Sequence, residues 1–228
     1  MLDDPAMAGA ERIASVANAG GHIALAGGST PRAAYELVAS MDVDWTRCTL
    51  WFGDERCVPQ EDERSNFRMV RAALLDRLSG ALPAVHRIGA EQGPHEAAAT
   101  YEAELRQAFG ERLPEFDLVL LGLGPDGHCA SLFPGDQALG EWSRLVVGVE
   151  RPGLAPWVPR VTLTLPVLNA AREVLFLVTG PEKAAAVGRA FGREPDQSAP
   201  AGLVAPTGTL TVLLDGAAAE LLPAESTR

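Results

Sequence analysis

Residues 116–135 read FDLVLLGLGPDGHCASLFPG, and this stretch decides the class of fold. The apolar run from Leu118 to Leu121 predicts a strand that is buried on both faces, as the strands of a parallel sheet are. The glycines that follow allow the backbone to turn sharply and to approach a ligand closely. Asp126 and His128 stand just beyond the carboxyl end of the strand, which is the edge where open α/β sheets bind their ligands. The stretch therefore predicts an active-site loop.

The rest of the chain alternates between extended apolar runs and stretches of helical character. This alternation predicts an α/β fold in which a mostly parallel sheet is covered by helices on both faces. Composition does not change across the short Pro- and Gly-rich stretches, so we expect a single domain over residues 1–228. Strands are predicted at 22–26, 49–52, 117–123, 145–149, 161–165, 174–178 and 210–214, and helices at 6–19, 31–40, 66–78, 95–109, 182–191 and 217–222.

Composition excludes several classes of function. A net charge of −11 argues against nucleic acid or an anionic membrane surface as partner, because both require a positive face. The 3 cysteines show no C-x-x-C spacing, so neither a disulfide framework nor a cysteine-based zinc site is expected. No apolar run reaches the length of a membrane span, and the first residues lack the pattern of a signal peptide. We therefore expect a cytoplasmic protein without a bound metal.

A second glycine loop follows the first predicted strand. Gly27 and Gly28 permit a tight turn, and Thr30 with Pro31 predicts the start of a helix whose N-cap is Thr30. Free backbone N–H groups and the hydroxyls of Ser29 and Thr30 would then face outward at the positive end of that helix, which suits a phosphate. An ordinary strand–turn–helix is the alternative, and this loop alone favours neither.

Asp54, Glu55 and Arg56 follow the second predicted strand. A carboxylate beside a guanidinium at the ligand edge of the sheet could recognise a polar substrate. A surface turn held by ion pairs is the alternative, and Ser65 is predicted to be the N-cap of the next helix in either case. A further basic candidate is Lys183, the only lysine among 19 basic residues, because phosphate sites use a compact ammonium charge. An exposed helix lysine is the alternative there.

Residues 122–127 also match the G-x-G-x-x-G pattern of a dinucleotide site. That site requires a substantial helix after the third glycine, whereas a helix beginning near His128 would meet Pro134 after about two turns. Glu150, at the end of the next predicted strand, is a possible ribose ligand, but it lies farther away than the usual ~20 residues. Cys129 could act as a nucleophile, but adjacent side chains seldom face one another, so His128 with a water is the simpler hypothesis.

Five segments occur in one order: GGSTP at 27–31, DER-x-VP at 54–59, SN at 65–66, G-x-G-x-DGH-x-ASLFP at 122–134 and RVTLT at 160–164. Together they resemble the 6-phosphogluconolactonase family, from about residue 20 to about residue 218. The resemblance implies a Rossmann-like three-layer fold shared with glucosamine-6-phosphate deaminase and ribose-5-phosphate isomerase. It also implies a carboxylic-ester hydrolase that acts on 6-phospho-D-glucono-1,5-lactone in the oxidative pentose phosphate pathway without a cofactor.

The resemblance also implies roles for individual residues. His128 would activate water without a covalent intermediate, Asp126 would orient its imidazole, and Arg56 or loop N–H groups would stabilise the oxyanion. The substrate and its phosphate would be held by Gly28, Ser29, Thr30, Asp54, Arg160 and Lys183.

Two departures from the family pattern bear on these expectations. Cys129 stands where the family usually has threonine, which puts a hydroxyl contact in doubt. The segment before 27–31 is short, so a strand and part of a helix are expected to be largely missing. We expect a monomer or weak homodimer that acts on a small phosphorylated lactone.

Two further functions on the same fold are alternatives. A sugar-phosphate deaminase or isomerase is the nearest, but the glutamate that follows Asp-Gly-His in the deaminase is replaced here by Leu-Phe-Pro at 132–134. A non-catalytic sugar-phosphate sensor would carry a DNA-binding helix-turn-helix, for which the first twenty or so residues leave no room.

Overall fold

Helices and strands alternate along much of the chain, as the sequence predicts, although no α-helix lies between residues 110 and 164. The computed structural model describes residues 4–193, 196 and 198–222. The strands are β1 (His22–Leu25), β2 (Thr49–Phe52), β3 (Asp54–Arg56), β4 (Ala84–Val85), β5 (Leu118–Leu121), β6 (Val146–Val149), β7 (Arg160–Leu163), β8 (Glu173–Val178) and β9 (Thr209–Leu214). The α-helices are α1 (Pro5–Ala19), α2 (Ser29–Val38), α3 (Asn66–Ala73), α4 (Pro94–Phe109), α5 (Leu165–Asn169) and α6 (Ala184–Phe191).

Six strands form one parallel sheet in the order β4-β2-β1-β5-β8-β9. Numbered along the chain within this sheet, the order is 3-2-1-4-5-6, which is the order of the Rossmann fold. The winding of the chain reverses between β1 and β5, and such sheets bind ligands beyond the carboxyl ends of the strands at this point. The two glycine loops meet there, since a Cβ on Gly122 would lie 3.8 Å from the carbonyl oxygen of Gly27.

Two adjacent residues of β2 show that helices cover both faces of this sheet. The ring of Trp51 packs edge-on against Tyr101 of α4, whereas Phe52 contacts Phe67 of α3. Because neighbouring side chains of a strand point to opposite faces, α3 and α4 lie on opposite sides.

The same alternation in β8 places two further helices. Phe176 packs edge-on against Phe191 of α6 with ring centroids 5.0 Å apart, whereas Leu177 lies against Gly9 of α1. A Cβ at Gly9 would come within 2.9 Å of the Leu177 side chain, so glycine allows this close approach. Since α2 packs against both α1 and α3, these three helices form one layer, and α4 and α6 lie on the other side. The predicted three-layer α/β fold is confirmed.

A second, antiparallel sheet has the order β3-β7-β6. Its register places Asp54 opposite Thr162 and Arg56 opposite Arg160. The strands predicted at 145–149 and 161–165 therefore form a sheet apart from the parallel one, and residues 54–56, which were predicted only to follow the second strand, form a strand of their own. The polar β3 lacks the apolar run that marked the other strands, and its partner is distant in the chain.

Several boundaries also differ from the predictions. The segment 217–222 forms turns instead of the predicted helix, and Leu221 is exposed. The helix predicted from 66 ends at Ala73, and a 3₁₀ turn over Leu75–Arg77 follows it. A 3₁₀ turn over Pro181–Lys183 likewise precedes α6.

A helix and a strand precede the first glycine loop. Helix α1 has 15 residues and begins after Asp4, whose side chain accepts hydrogen bonds from the backbone N–H groups of Ala6 and Met7. The strand after it, β1, lies inside the sheet, whose edges are β4 and β9. The helix predicted at 6–19 and the strand predicted at 22–26 are thus confirmed with small changes in their bounds, and the expected absence of a strand and part of a helix before the first motif stays a prediction. None of the helices in the described ranges combines the length and apolarity that crossing a membrane requires.

Candidate active site

A cleft of about 230 Å³ opens at the carboxyl edge of the sheet, where the two glycine loops meet. Strands β3 and β7 of the small sheet and the loop that precedes β7 complete its walls. Six of the nine residues predicted for the site line this cleft, which are Gly28, Asp54, Arg56, His128, Arg160 and Lys183.

The other three predicted residues lie beside the cleft. Asp126 contacts His128. Ser29 is exposed and lines a neighbouring cleft of about 470 Å³ that shares Gly28 and Arg56 with the first. The hydroxyl of Thr30 lies 2.7 Å from that of Thr179, so it is engaged within the protein.

His128 and Asp126 form a hydrogen-bonded pair. Oδ1 of Asp126 accepts a hydrogen bond from the backbone N–H of His128 at 3.2 Å and lies 2.6 Å from Nδ1 of its ring. Burial raises the pKa of Asp126, but the hydrogen bond and the charge of His128 outweigh it and leave the pKa below its ordinary value. An ionised carboxylate can only accept, so Nδ1 of His128 carries a proton and Nε2 of the neutral ring is left as the base.

Two positions of this loop require glycine. A Cβ on Gly124 would overlap the imidazole of His128 and crowd Oδ1 of Asp126. Gly127 has a φ of 93°, and a Cβ there would come within 2.7 Å of Ala199. The match to G-x-G-x-x-G thus serves the packing of a histidine, and no α-helix follows it within residues 128–136.

The alternative nucleophile, Cys129, does not line the cleft. Its side chain is buried, and burial raises the pKa of the thiol. Cys129 is therefore protonated at neutral pH, and a thiolate is what nucleophilic attack requires. The described residues also contain no cluster of three or more His, Cys, Asp or Glu side chains that could hold a metal ion.

A buried polar network lies under the floor of the cleft. Asp54 accepts a hydrogen bond from the hydroxyl of Ser131 at 2.6 Å and one from Nδ2 of Asn66 at 3.1 Å. The backbone N–H of Ser131 donates to Oγ1 of Thr162 at 3.2 Å. The amide of Asn66 fills the space beside Gly27 that a Cβ would occupy. The five motif segments of the sequence therefore meet in one contiguous network.

Glu55 supports the fold instead of lining the cleft. Its carboxylate accepts hydrogen bonds from the hydroxyl of Ser65 and from the backbone N–H groups of Arg56, Asn66 and Phe67. Ser65 in turn accepts from the backbone N–H of Arg68, which confirms it as the N-cap of α3. Burial raises the pKa of Glu55. Of the Asp54–Glu55 pair, only Asp54 is available to a ligand.

The start of α2 differs from the prediction in one detail. The helix begins at Ser29, so its N-cap is Gly28 and not Thr30. Gly28 has a backbone φ of 110°, which residues other than glycine rarely adopt, and it has no side chain with which to cap the helix. The hydroxyl of Tyr35 holds the preceding turn by bonding to both the backbone N–H and the carbonyl of Ala26. The first N–H groups of α2 thus lack a protein cap and can receive an anion.

Three cationic residues line the cleft. Arg160 is 3% exposed, and burial lowers the pKa of its guanidinium to about 10. Its Nε and Nη2 donate to the carbonyls of Val158 and Pro156. Lys183 has no ion-pair partner among the described residues. Arg56 donates through Nη1 to the carbonyl of Arg64, and its Nε is the one buried side-chain polar atom of the described residues without a hydrogen-bond partner.

Sequence reasoning assigned no role to several residues that build the site. Asn66 and Ser131 were part of the motif segments, and Thr162 follows Arg160 in one of them, but only the fold shows that they surround Asp54. A polar residue that interrupts an apolar run within such a motif is the sequence feature that could have identified these three residues.

Comparisons with known proteins place the chain among sugar-phosphate enzymes. The family model for glucosamine-6-phosphate isomerases/6-phosphogluconolactonase matches residues 4–213. A 6-phosphogluconolactonase of Synechocystis sp. is 42% identical over 207 residues, which cover 89% of this chain and 85% of that protein. The human 6-phosphogluconolactonase is 47% identical over 178 residues, which cover 77% of this chain and 69% of that protein.

Solved structures agree with the sequence relatives. The 6-phosphogluconolactonase from Trypanosoma cruzi has a TM-score of 0.85 and 31% identity, and the match covers 96% of this chain and 94% of that one. The enzyme from Thermotoga maritima has a TM-score of 0.82 and 33% identity, with 94% and 96% covered. A monomeric glucosamine-6-phosphate deaminase at 19% identity and a TM-score of 0.81, with 95% of both chains covered, shares the fold.

Proposed function

This chain belongs to the glucosamine-6-phosphate isomerase/6-phosphogluconolactonase family, and we propose that it hydrolyses 6-phospho-D-glucono-1,5-lactone to 6-phosphogluconate in the oxidative pentose phosphate pathway. One observation carries the proposal. His128, whose Nδ1 is held by Asp126, lines the same cleft as three cationic side chains. A base for water and a cluster of positive charges for a phosphate are the two requirements of this reaction.

The phosphate end of the substrate is held by positive groups. The side chain of Lys183 has no partner among the described residues, and the first N–H groups of α2 lack a cap. Arg160 keeps donor capacity beyond its two bonds to carbonyls, since a guanidinium has five N–H donors. Ser29, exposed at the start of α2, adds a hydroxyl. Thr30 acts by holding the loop to Thr179.

The chemistry takes place at the other end of the substrate. Nε2 of His128 accepts a proton from water while the water oxygen bonds to the lactone carbonyl carbon. The bond between that carbon and the ring oxygen then breaks, and the ring oxygen takes the proton from His128. General acid–base catalysis of this kind contributes roughly 10²–10⁴-fold. Asp126 keeps Nδ1 protonated and stabilises the imidazolium that forms between the two steps.

The negative charge that develops on the carbonyl oxygen requires a donor. Arg56 lines the cleft, and only one N–H of its guanidinium, on Nη1, donates to a protein carbonyl, that of Arg64, so other N–H donors remain. A single donor of this kind is worth on the order of 10²–10³-fold in rate. We assign Arg56 to the oxyanion and Asp54 to the substrate hydroxyls, because a buried carboxylate held by two donors still has lone pairs free.

The lining residues come from segments between 26 and 183, which supports one domain over residues 1–228 as the working unit. We propose that it works in the cytoplasm as a monomer or a weak homodimer. Partners other than the phosphorylated lactone are not required by this reaction.

A pH-stat assay on freshly generated 6-phosphogluconolactone tests the proposal. Acid release should exceed the uncatalysed rate, which is measured in parallel and subtracted. His128→Ala should lose most turnover while KM changes little. The matched control is His95→Ala, because His95 pairs with Glu150 in another cleft and should leave turnover unchanged. No acceleration above background would defeat the proposal.

The deaminase alternative lacks a required acid. The residues after His128 that would carry it are Leu132 and Phe133, and both are buried. The next acid, Asp136, caps a 3₁₀ turn by accepting from the backbone N–H of Ala138 and lines a different cleft. Ammonia release from glucosamine-6-phosphate should therefore not exceed the blank.

A further inference from the structure

Phe133 contacts both functional ends of the cleft. Its ring centroid lies 4.6 Å from that of the His128 imidazole, with the two planes tilted by 40°. The guanidinium carbon of Arg160 lies 5.9 Å from the same ring centroid. Phe133 itself is 1% exposed, so it acts on the cleft through these neighbours and does not meet the substrate.

The loop that covers this side of the cleft also rests on Phe133. A Cβ on Gly153 would approach the Phe133 side chain to 3.1–3.3 Å, so glycine lets the loop lie close to the ring. The same loop supplies Leu154 and Ala155 to the cleft wall. Three parts of the site therefore pack on one aromatic side chain.

The imidazole needs such a support. Among the described residues its ring makes one hydrogen bond, from Nδ1 to Asp126. One hydrogen bond does not by itself fix rotation about the Cα–Cβ and Cβ–Cγ bonds, and such a rotation would carry Nε2 away from the lactone. A ring packed against the imidazole removes this freedom, because side chains in a close-packed interior occupy defined rotamers.

We propose that Phe133 is a positioning residue for the hydrolysis. Its ring fixes the plane of the His128 imidazole and the position of the Arg160 guanidinium. The distance between the base and the phosphate-binding group therefore stays constant. The inference rests on the proposed function for its catalytic consequence, but the orientation of His128 can be measured without activity. Phe133→Leu removes the flat surface and keeps an apolar side chain.

The first experiment measures kinetics. Phe133→Leu should lower kcat about tenfold or more with KM changed less than about twofold, because misplacing a reacting group by ~1 Å can cost 10²-fold. Phe133→Tyr retains the ring and should recover most of the lost kcat. Phe116→Leu is the matched control. Phe116 is also fully buried, but it lies before β5, at the amino ends of the strands and away from the cleft. An unchanged kcat in Phe133→Leu would overturn the inference.

The second experiment reads the imidazole directly. In a long-range ¹H–¹⁵N spectrum at pH 8, His128 of the wild type should show one tautomer, protonated at Nδ1, with signals assigned by their loss in His128→Gln. Phe133→Leu should show averaging between tautomers, and Phe133→Tyr should restore the single form. The same single tautomer in Phe133→Leu would contradict the inference even if the wild type showed no lactonase activity. If Phe133→Leu does not fold, Phe133→Tyr provides the test. Loss of the single tautomer in that variant, which retains the aromatic ring, would also contradict the inference.

Discussion

The hydroxyl of Ser131 donates a 2.6 Å hydrogen bond to Oδ2 of Asp54, although 77 positions separate the two residues. Asp54 belongs to β3, and Ser131 lies in the loop that carries His128. The bond therefore joins the small antiparallel sheet to the loop after β5. It also satisfies one oxygen of a carboxylate that is almost fully buried, which is costly to leave unpaired.

Ser131→Ala should destabilise the protein and weaken substrate binding. Removing a donor to a buried charged group costs about 1.5–3 kcal/mol, so the free energy of unfolding in urea should fall by roughly that amount. KM should rise, because Asp54 loses a contact that orients it. Ser143→Ala is the control, since its hydroxyl also bonds to a carboxylate at 2.6 Å, that of Glu141, but on the surface. Equal decreases in the free energy of unfolding in the two variants would contradict the expected role of the Ser131–Asp54 hydrogen bond.

Gly124→Ala should remove most activity. The new Cβ would occupy the position of the His128 imidazole, so the ring must leave Asp126. We expect kcat to fall on the order of 10²-fold or more, as for loss of the general base. In Gly140→Ala the new Cβ would meet no atom within 4 Å, so that variant should keep the wild-type kcat. Wild-type turnover in Gly124→Ala would show that the imidazole does not need this site.

Lys183→Ala should affect the phosphorylated substrate selectively. Loss of a charge-assisted hydrogen bond worth about 1.5–3 kcal/mol predicts a rise in KM of about tenfold or more for 6-phosphogluconolactone. For glucono-1,5-lactone without the phosphate, KM should hardly change. Arg172→Ala is a basic control, because Arg172 pairs with Asp117 before β5. A parallel rise in KM for both lactones would remove Lys183 from the phosphate site.

Stability should decrease on mild acidification. Burial and the charge of His86 lower the pKa of His22 more than Asp117 raises it. Nδ1 of His22 accepts a hydrogen bond from the indole of Trp51, so protonation would break that bond. The folded state therefore binds this proton less readily than the unfolded state, and stability falls as the pH drops below about 6.5 toward the lowered pKa.

Urea midpoints at pH 8 and pH 5.5 measure this effect. The wild type should be less stable at pH 5.5, and His22→Gln should lose part of that difference because glutamine does not titrate. Glutamine can still accept from the Trp51 indole through its carbonyl oxygen. An equal pH dependence in both proteins would assign the loss of stability to other groups.

The parallel sheet was predictable because its signals are local. The strand predicted at 49–52 has the bounds of β2, and β5 lies within 117–123, since each is a short apolar run that ends in a glycine turn. Helix α3 likewise begins after its predicted N-cap, Ser65. Residues at the ends of neighbouring parallel strands share one edge, so the convergence of most predicted site residues could also be inferred.

The small sheet could not be predicted in the same way. Residues Asp54–Arg56 form a strand only because Arg160–Thr162 pair with them, and the two segments are far apart in the chain. The hydrogen-bond partners of side chains likewise depend on segments that are distant in the chain. The hydroxyl of Thr30 turned toward Thr179, and Glu55 turned toward α3, because of neighbours that only the fold supplies.

The network around Asp54 limits how this chain can change over generations. Asp54, Asn66 and Ser131 satisfy one another, so replacing any one of them alone leaves a buried polar group without a partner. An intermediate sequence with one replacement pays that penalty before a second replacement can relieve it. Substitutions at these three positions should therefore arise together or not at all, although Ser131 lies 77 positions from Asp54 along the chain.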